Sequence, residues 1–241
     1  MEFWKIPLLV LVSFGGSFVQ RVTGFGYGIF IMMFLPALMG STPEAAAMAG
    51  MISCCTCTYN AVKMRKSIQW KLAAPTVAAS LITVPLAVGF SVNASEDLVR
   101  SLLGVALIVL SVYFLFFAGK VRLKASAPAG LLAGSLSGVL GGMFSMGGPP
   151  IVLYLLQATA DKGAYFATLQ AHFALTNLYS TGTRAMNGIV TAKVLGWFAV
   201  AVAGSLAGNH IGGKLFEKLD SAKMKKLVYL VMIVSGVTML L

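Results

Sequence analysis

The sequence predicts an all-α, polytopic membrane protein of two repeats with about five helical elements each, and with broken or re-entrant helices at two glycine-rich segments. Three observations predict it. The 241 residues are 58% hydrophobic and only 10% charged, so water is not the main solvent. The basic residues gather in clusters between apolar runs. The order of long and short apolar runs in the first half returns in the second, at an offset of about 120 residues.

The first run, Ile6 to Val22, follows Met1 to Lys5 and passes through Gly15, Gly16 and Gln20 into Arg21. No small-residue cleavage site interrupts it, so it reads as a membrane element rather than a signal peptide. After the break Thr23 to Gly28 comes a short run, Ile29 to Met39. Its helix would rise about 18 Å against a hydrocarbon core of roughly 30 Å and cannot span upright. Pro43 to Val62 spans. The basic loop Lys63 to Lys71 leads to Leu72 to Ser91, the acidic link Val92 to Asp97, the span Leu98 to Ala118 and the basic stretch Gly119 to Lys124.

The second set is Ala129 to Leu140, the break Gly141 to Gly148, the short run Pro149 to Ala158, and the spans Gly163 to Thr183, Val194 to Ile211 and Met224 to Leu241. Gly28 matches Gly148, Arg65 matches Arg184, and Ser95 to Leu103 matches Ser221 to Tyr229. The repeats therefore divide as 1–124 and 125–241 within one integrated membrane domain.

A net charge of +11 raises nucleic acid as a partner, and the placement of the cations argues against it. Lys63, Arg65, Lys66 and Lys71 form one cluster, Lys120, Arg122 and Lys124 a second, and Lys214, Lys218, Lys223, Lys225 and Lys226 a third. Each sits between apolar runs, the pattern of cytoplasmic loops. The third falls one element later than a parallel copy predicts. An inverted repeat accounts for this if each broken pair makes an even number of crossings, which leaves Arg184 and Lys193 outside; parallel copies are the alternative. The expected location is the inner (plasma) membrane, multi-pass, with the lipid bilayer and a small anionic substrate as partners; a homodimer is compatible with the sequence.

Cys54, Cys55 and Cys57 lie too close along one helix to pair and read as packing rather than metal or redox ligands. Trp4, Trp70 and Trp197 suit headgroup positions, His210 suits an interface, and Arg184, with Thr181 and Thr183, either guards a pathway entrance or, as is usual for one charge at a helix end, serves as an anchor. No cofactor is implied.

The second break reads Gly141, Gly142, Met143, Phe144, Ser145, Met146, Gly147, Gly148, Pro149, Pro150. Glycine opens the helix and proline, at home in a first turn, restarts it. A helix that starts inside a membrane turns open amide donors and a positive dipole end toward a cavity, which suits an anion. Irregular backbone survives at that depth only where protein or a water-filled path satisfies it. The first break, Gln20 to Gly28, carries Arg21, whose guanidinium either holds an oxyanion with two donors or snorkels to headgroups.

Gln20 to Gly28 and Gly141 to Pro150 resemble the paired signatures of the sulfite exporter TauE/SafE family, and the resemblance extends over nearly the whole chain. It implies a secondary transporter of small, often sulfur-containing anions. It also implies a substrate site where Gly24, Phe25, Gly26 and Tyr27 face Ser145, Met146, Gly147 and Gly148, with Pro149 behind them. Met143, Phe144, Ser145 and Met146 stand where relatives often carry more glycine. Gln170 and His172, with Asn177 nearby, add polar side chains to that pocket or bond helix to helix, and His172 is a candidate for proton coupling.

All seven acids, Glu2, Glu44, Glu96, Asp97, Asp161, Glu217 and Asp220, sit in loops or at helix ends, which speaks against a carboxylate relay or cation site. An enzyme would need a nucleophile with its base or clustered ligands, and two isolated histidines supply neither. An anion channel or a non-transporting membrane scaffold is the alternative to a carrier.

Overall fold

A computed structural model of the chain describes residues 5–117, 126–159, 161–215, 233–234 and 236–240. Trp4, the basic stretch Gly119 to Lys124 and most of the last predicted span, Met224 to Leu241, lie outside the described residues. Among those described, every regular element is helical, in agreement with the all-α reading. α1 is Lys5–Thr23, α2 Tyr27–Met32, α3 Leu35–Met39, α4 Thr42–Lys63 and α5 Trp70–Asn93. α6 is Glu96–Val112, extended by π-helical turns over Tyr113–Phe117; α7 is Ala127–Phe144, α8 Gly148–Ala158, α9 Lys162–Met186 and α10 Ala192–Leu215. Five of them, α4, α5, α7, α10 and α6 with its extension, have the length and apolar character to cross a membrane.

Several boundaries differ from the sequence reading for local reasons. The short run splits into α2 and α3 because Pro36 sits in the first turn of α3, where its fixed φ favours a new start. α7 continues past Leu140 to Phe144, since Gly142 serves close packing: a β-carbon there would lie 2.8 Å from the Val84 carbonyl oxygen of α5. Trp197 joins the buried core at 4% exposure instead of standing at the headgroups, whereas Trp70 is exposed.

Four of the helix starts outside the breaks are capped by side chains. Ser41 accepts from the Glu44 amide, Ser95 from Leu98, Ser126 from Ala129 and Asp161 from Ala164, at 2.7 to 3.4 Å. The two starts that follow the breaks, α2 and α8, have glycine N-caps with no side-chain bond.

Small residues set the helix register. Gly204, Gly208 and Gly212 of α10 stack on the backbone of Val10, Phe14 and Phe18, so α10 runs parallel to α1. Gly134, Gly138 and Gly142 of α7 stack on Thr76, Ser80 and Val84, so α7 runs parallel to α5. α4 and α9 are antiparallel: Asn60 bonds Gln170, Asn177 bonds Ser53, and Gly50 faces Arg184. α6 begins beside α4, where Glu96 accepts from the Thr42 amide at 2.7 Å, and Lys193 at the start of α10 pairs with Glu44 at 2.6 Å.

Followed from the loop Lys63 to Lys71, these directions bring the end of α6, the start of α7 and the end of α10 to one face. Lys63, Arg65 and Lys66 of the first predicted basic cluster lie at that face, and α10 ends there with Lys214 in its last turn. Large apolar side chains such as Ile82, Leu86, Leu132, Leu136 and Leu206 are left exposed on the outer helices, as a bilayer solvent requires.

Candidate functional site

The site is built from two chain reversals. At the first, α1 ends at Thr23 and Gly24 and Gly26 take left-handed φ values of 84° and 102°, which turn the chain back into α2. At the second, α7 ends at Phe144, Ser145 holds the left-handed position at φ 55°, and α8 restarts at Gly148 with Pro149 and Pro150 in its first turn. The reversals touch: a β-carbon on Gly28 would stand 1.9 Å from the Ser145 carbonyl oxygen, and one on Gly148 would stand 3.2 Å from the Phe25 ring.

Between them lies a cavity with about 40 Å³ of space open to the centre of a water molecule. It is level with Ser53, the twelfth of the 22 residues of α4, and therefore near the middle of that helix. Gln20, Ser53, Ser137, Ser145, Thr176, Asn177 and Ser180 give it hydroxyl and amide groups, while Phe25, Tyr27, Met146 and Phe173 give it apolar walls. Among the described residues, its lining contains no acidic or basic side chain.

Of the residues predicted from sequence, Phe25, Gly26, Tyr27, Ser145, Met146, Gly147 and Gly148 line this cavity together. Gly24 and Pro149 flank it in the chain. Gln170 is fully buried and ties the first reversal to its neighbours: Nε2 donates to the Gly24 carbonyl at 3.0 Å, and Oε1 accepts from Asn60 Nδ2 at 3.3 Å. His172, also fully buried, stands behind the second reversal. Its Nδ1 meets Thr76 Oγ1 at 3.0 Å and its Nε2 meets Ser137 Oγ at 3.2 Å, while that serine donates to the Gly147 carbonyl at 2.7 Å. Arg21 lies in the last turn of α1 outside the cavity lining, with Nη1 3.4 Å from Asn60 Oδ1 and its guanidinium 5.7 Å from the Phe166 ring centroid.

Other residues of the site escaped the sequence reading. Gln20 is oriented by Thr56, which donates to its Oε1 at 3.3 Å, and by the Cys57 thiol, which accepts from its Nε2 at 3.2 Å. On α9, Thr176, Ser180 and Arg184 recur every four residues, one polar stripe of a helix that also carries Gln170, His172 and Asn177. Arg184 is not the headgroup anchor expected from its place at a helix end. It is 1% exposed, with Nη2 on the carbonyls of Gly141 and Gly142 at 2.9 and 2.8 Å and Nη1 on Ser145 Oγ at 2.9 Å. In the last turn of α7 the Gly141 carbonyl also accepts from the Ser145 amide at 3.0 Å, and the guanidinium is a second donor to it and a donor to the Gly142 carbonyl.

The tie through Gln170 gives a direct expectation. Gln170→Leu, close in volume, strands the Gly24 carbonyl and the Asn60 amide and lowers the unfolding free energy by about 1–3 kcal/mol. A melting midpoint equal to wild type in detergent-purified protein would refute it.

Comparison with known proteins matches the sequence to a family. The family model described as Sulfite exporter TauE/SafE matches residues 9–239. A curated relative from Cupriavidus necator, "Probable sulfite/organosulfonate exporter TauE", is 23% identical over 244 residues, covering 98% of this chain and 94% of its own. No solved structure matches. With two interrupted helix pairs around a cavity, spans for a bilayer and a family match over nearly its whole length, the chain is a multi-pass membrane protein that belongs to the sulfite exporter TauE/SafE family of transporters.

Proposed function

We propose that this protein is a secondary transporter of small sulfur oxoanions, sulfite or organosulfonates, that alternates access around the cavity between its two breaks. The observation that carries this reading is the start of α8 beside that cavity, capped by glycine and without a capping side chain. Pro149 and Pro150 have no N–H, so the open donors of this 11-residue helix are the amides of Gly147 and Gly148, and both residues line the cavity. The positive end of the helix favours an anion there, and no carboxylate in the lining opposes it. The cavity is small, which suits a compact oxoanion. The sulfite/organosulfonate exporter named in Cupriavidus necator supports the substrate class and the direction of transport.

The helix directions support an inverted repeat. Exchanging α1 with α7, α4 with α9 and α5 with α10 converts the parallel pair α1–α10 into the parallel pair α7–α5. The same exchange maps the antiparallel pair α4–α9 onto itself, and the two halves then run in opposite senses through the bilayer. Inverted halves around a central site provide two related conformations open to opposite faces. The face adjoining the basic clusters is the cytoplasmic one on the positive-inside rule, and Arg21, toward that face, draws the anion to the cavity.

Proteoliposomes test the reading. Saturable sulfite flux, stimulated by sulfite on the opposite side, is expected; large unitary currents would instead mark a channel, and absence of flux a scaffold. Arg21→Ala is expected to weaken sulfite binding several-fold through loss of one unit charge, and unchanged affinity in calorimetry removes Arg21 from the path.

A further inference from the structure

We infer that Ser180 and Arg184, one turn apart on α9, complete the anion site: Ser180 Oγ as a direct hydrogen-bond donor, and Arg184 as the fixed charge that sets the preference for dianions. The inference rests on the transporter reading above and assigns roles to residues of the same cavity. Ser180 lines the cavity, is 2% exposed, and its Oγ has no hydrogen-bond partner among the described residues. A buried hydroxyl with nothing to bond is costly at membrane depth, so its position at a cavity wall marks a place where a ligand supplies the acceptor.

Arg184 answers an electrostatic problem created by the second break. α7 ends and α8 begins within four residues, so a negative helix end and a positive one meet beside the same cavity, and Gly141 of the negative end is itself part of the lining. An anion would be repelled by the first as it is attracted by the second. The Arg184 guanidinium binds the carbonyls of Gly141 and Gly142 in that last turn and so cancels the negative end where it faces the ligand. Its described partners are oxygens of neutral groups, which leaves its charge uncompensated by any carboxylate they provide. Gly50 makes the room: a β-carbon there would lie 2.8 Å from Arg184 Nη1. Ser145, whose hydroxyl accepts from Nη1 and donates to the Ala46 carbonyl at 2.7 Å, relays the guanidinium position to the cavity wall. Arg184 is thus a positioning and charge-setting residue, and Ser180 a contacting one.

A charge and a structural brace make different predictions. Neutralising a charge weakens a dianion more than a monoanion, whereas loosening the break weakens both alike. The test is calorimetric titration of the purified full-length protein with sulfite at alkaline pH, where it is a dianion, and with methanesulfonate, a monoanion.

Arg184→Gln is expected to reduce the preference for sulfite over methanesulfonate by about tenfold. Ser180→Ala is expected to weaken both anions about tenfold, the loss of one hydrogen bond to a charged partner. Equal weakening of the two anions by Arg184→Gln overturns the charge assignment, and wild-type affinities in Ser180→Ala overturn the contact. If Arg184→Gln does not accumulate as folded protein, the wild type decides the charge role, since binding of the sulfite dianion no tighter than that of methanesulfonate sinks it. Failure of the wild-type protein to bind either anion would instead refute the transporter reading.

Discussion

Gly28→Ala is expected to abolish transport and to destabilise the fold by about 3 kcal/mol or more. The β-carbon it adds would lie 1.9 Å from the Ser145 carbonyl oxygen, and the obstacle is backbone on both sides. No rotamer relieves such a clash, so the two reversals must part. Parting them opens the contact that closes the cavity between Gly28 and Ser145. The check is a melting curve in detergent together with sulfite flux in proteoliposomes. A variant with wild-type midpoint and wild-type flux would show that the reversals do not touch in the membrane.

The second large effect is expected at the glycine seams. Gly134→Ala would bring a β-carbon within 2.2 Å of the Thr76 carbonyl oxygen, and Gly204→Ala within 2.3 Å of that of Val10. Each is expected to cost about 1–3 kcal/mol by forcing parallel helices apart. Gly134→Ala is further expected to reduce flux, because Thr76 holds His172, which in turn meets Ser137 behind the second reversal. Gly182 and Gly196 are the internal controls, since nothing lies within 4 Å of a β-carbon at either position. Alanine there should be neutral or stabilising by up to about 1 kcal/mol, from its better helix propensity. If seam and control substitutions shift the melting midpoint equally, close packing at the seams is not what limits stability.

Much of the site was legible as backbone and little of it as side chains. Glycine and proline act locally, on φ and on the next amide, so the order Gly147, Gly148, Pro149, Pro150 announces a helix restart whatever surrounds it. Gly141 and Gly142 looked the same in sequence but lie within α7, because a glycine that admits a neighbouring helix cannot be told from one that turns the chain. Ser145, a non-glycine residue, takes the left-handed position instead.

The two arginines show the limit most clearly. Arg21, next to a glycine break in sequence, points to Asn60 and Phe166 outside the cavity lining, while Arg184, alone near a helix end, is buried against the second break. Snorkelling and burial begin from the same helical position, and only the neighbouring helices choose between them.

By itself, the sequence determined the solvent, the all-α class and, to within a few residues, where the chain breaks. Each of these depends on residues within one or two turns of one another or on totals along a segment. Only the tertiary structure decided which polar groups share the cavity and which cation stands beside it. Those partners are distant in the chain, as Gln170 is from Gly24 and Arg184 from Ser145, and their meeting follows from helix register, set where α4, α5, α7 and α9 pack.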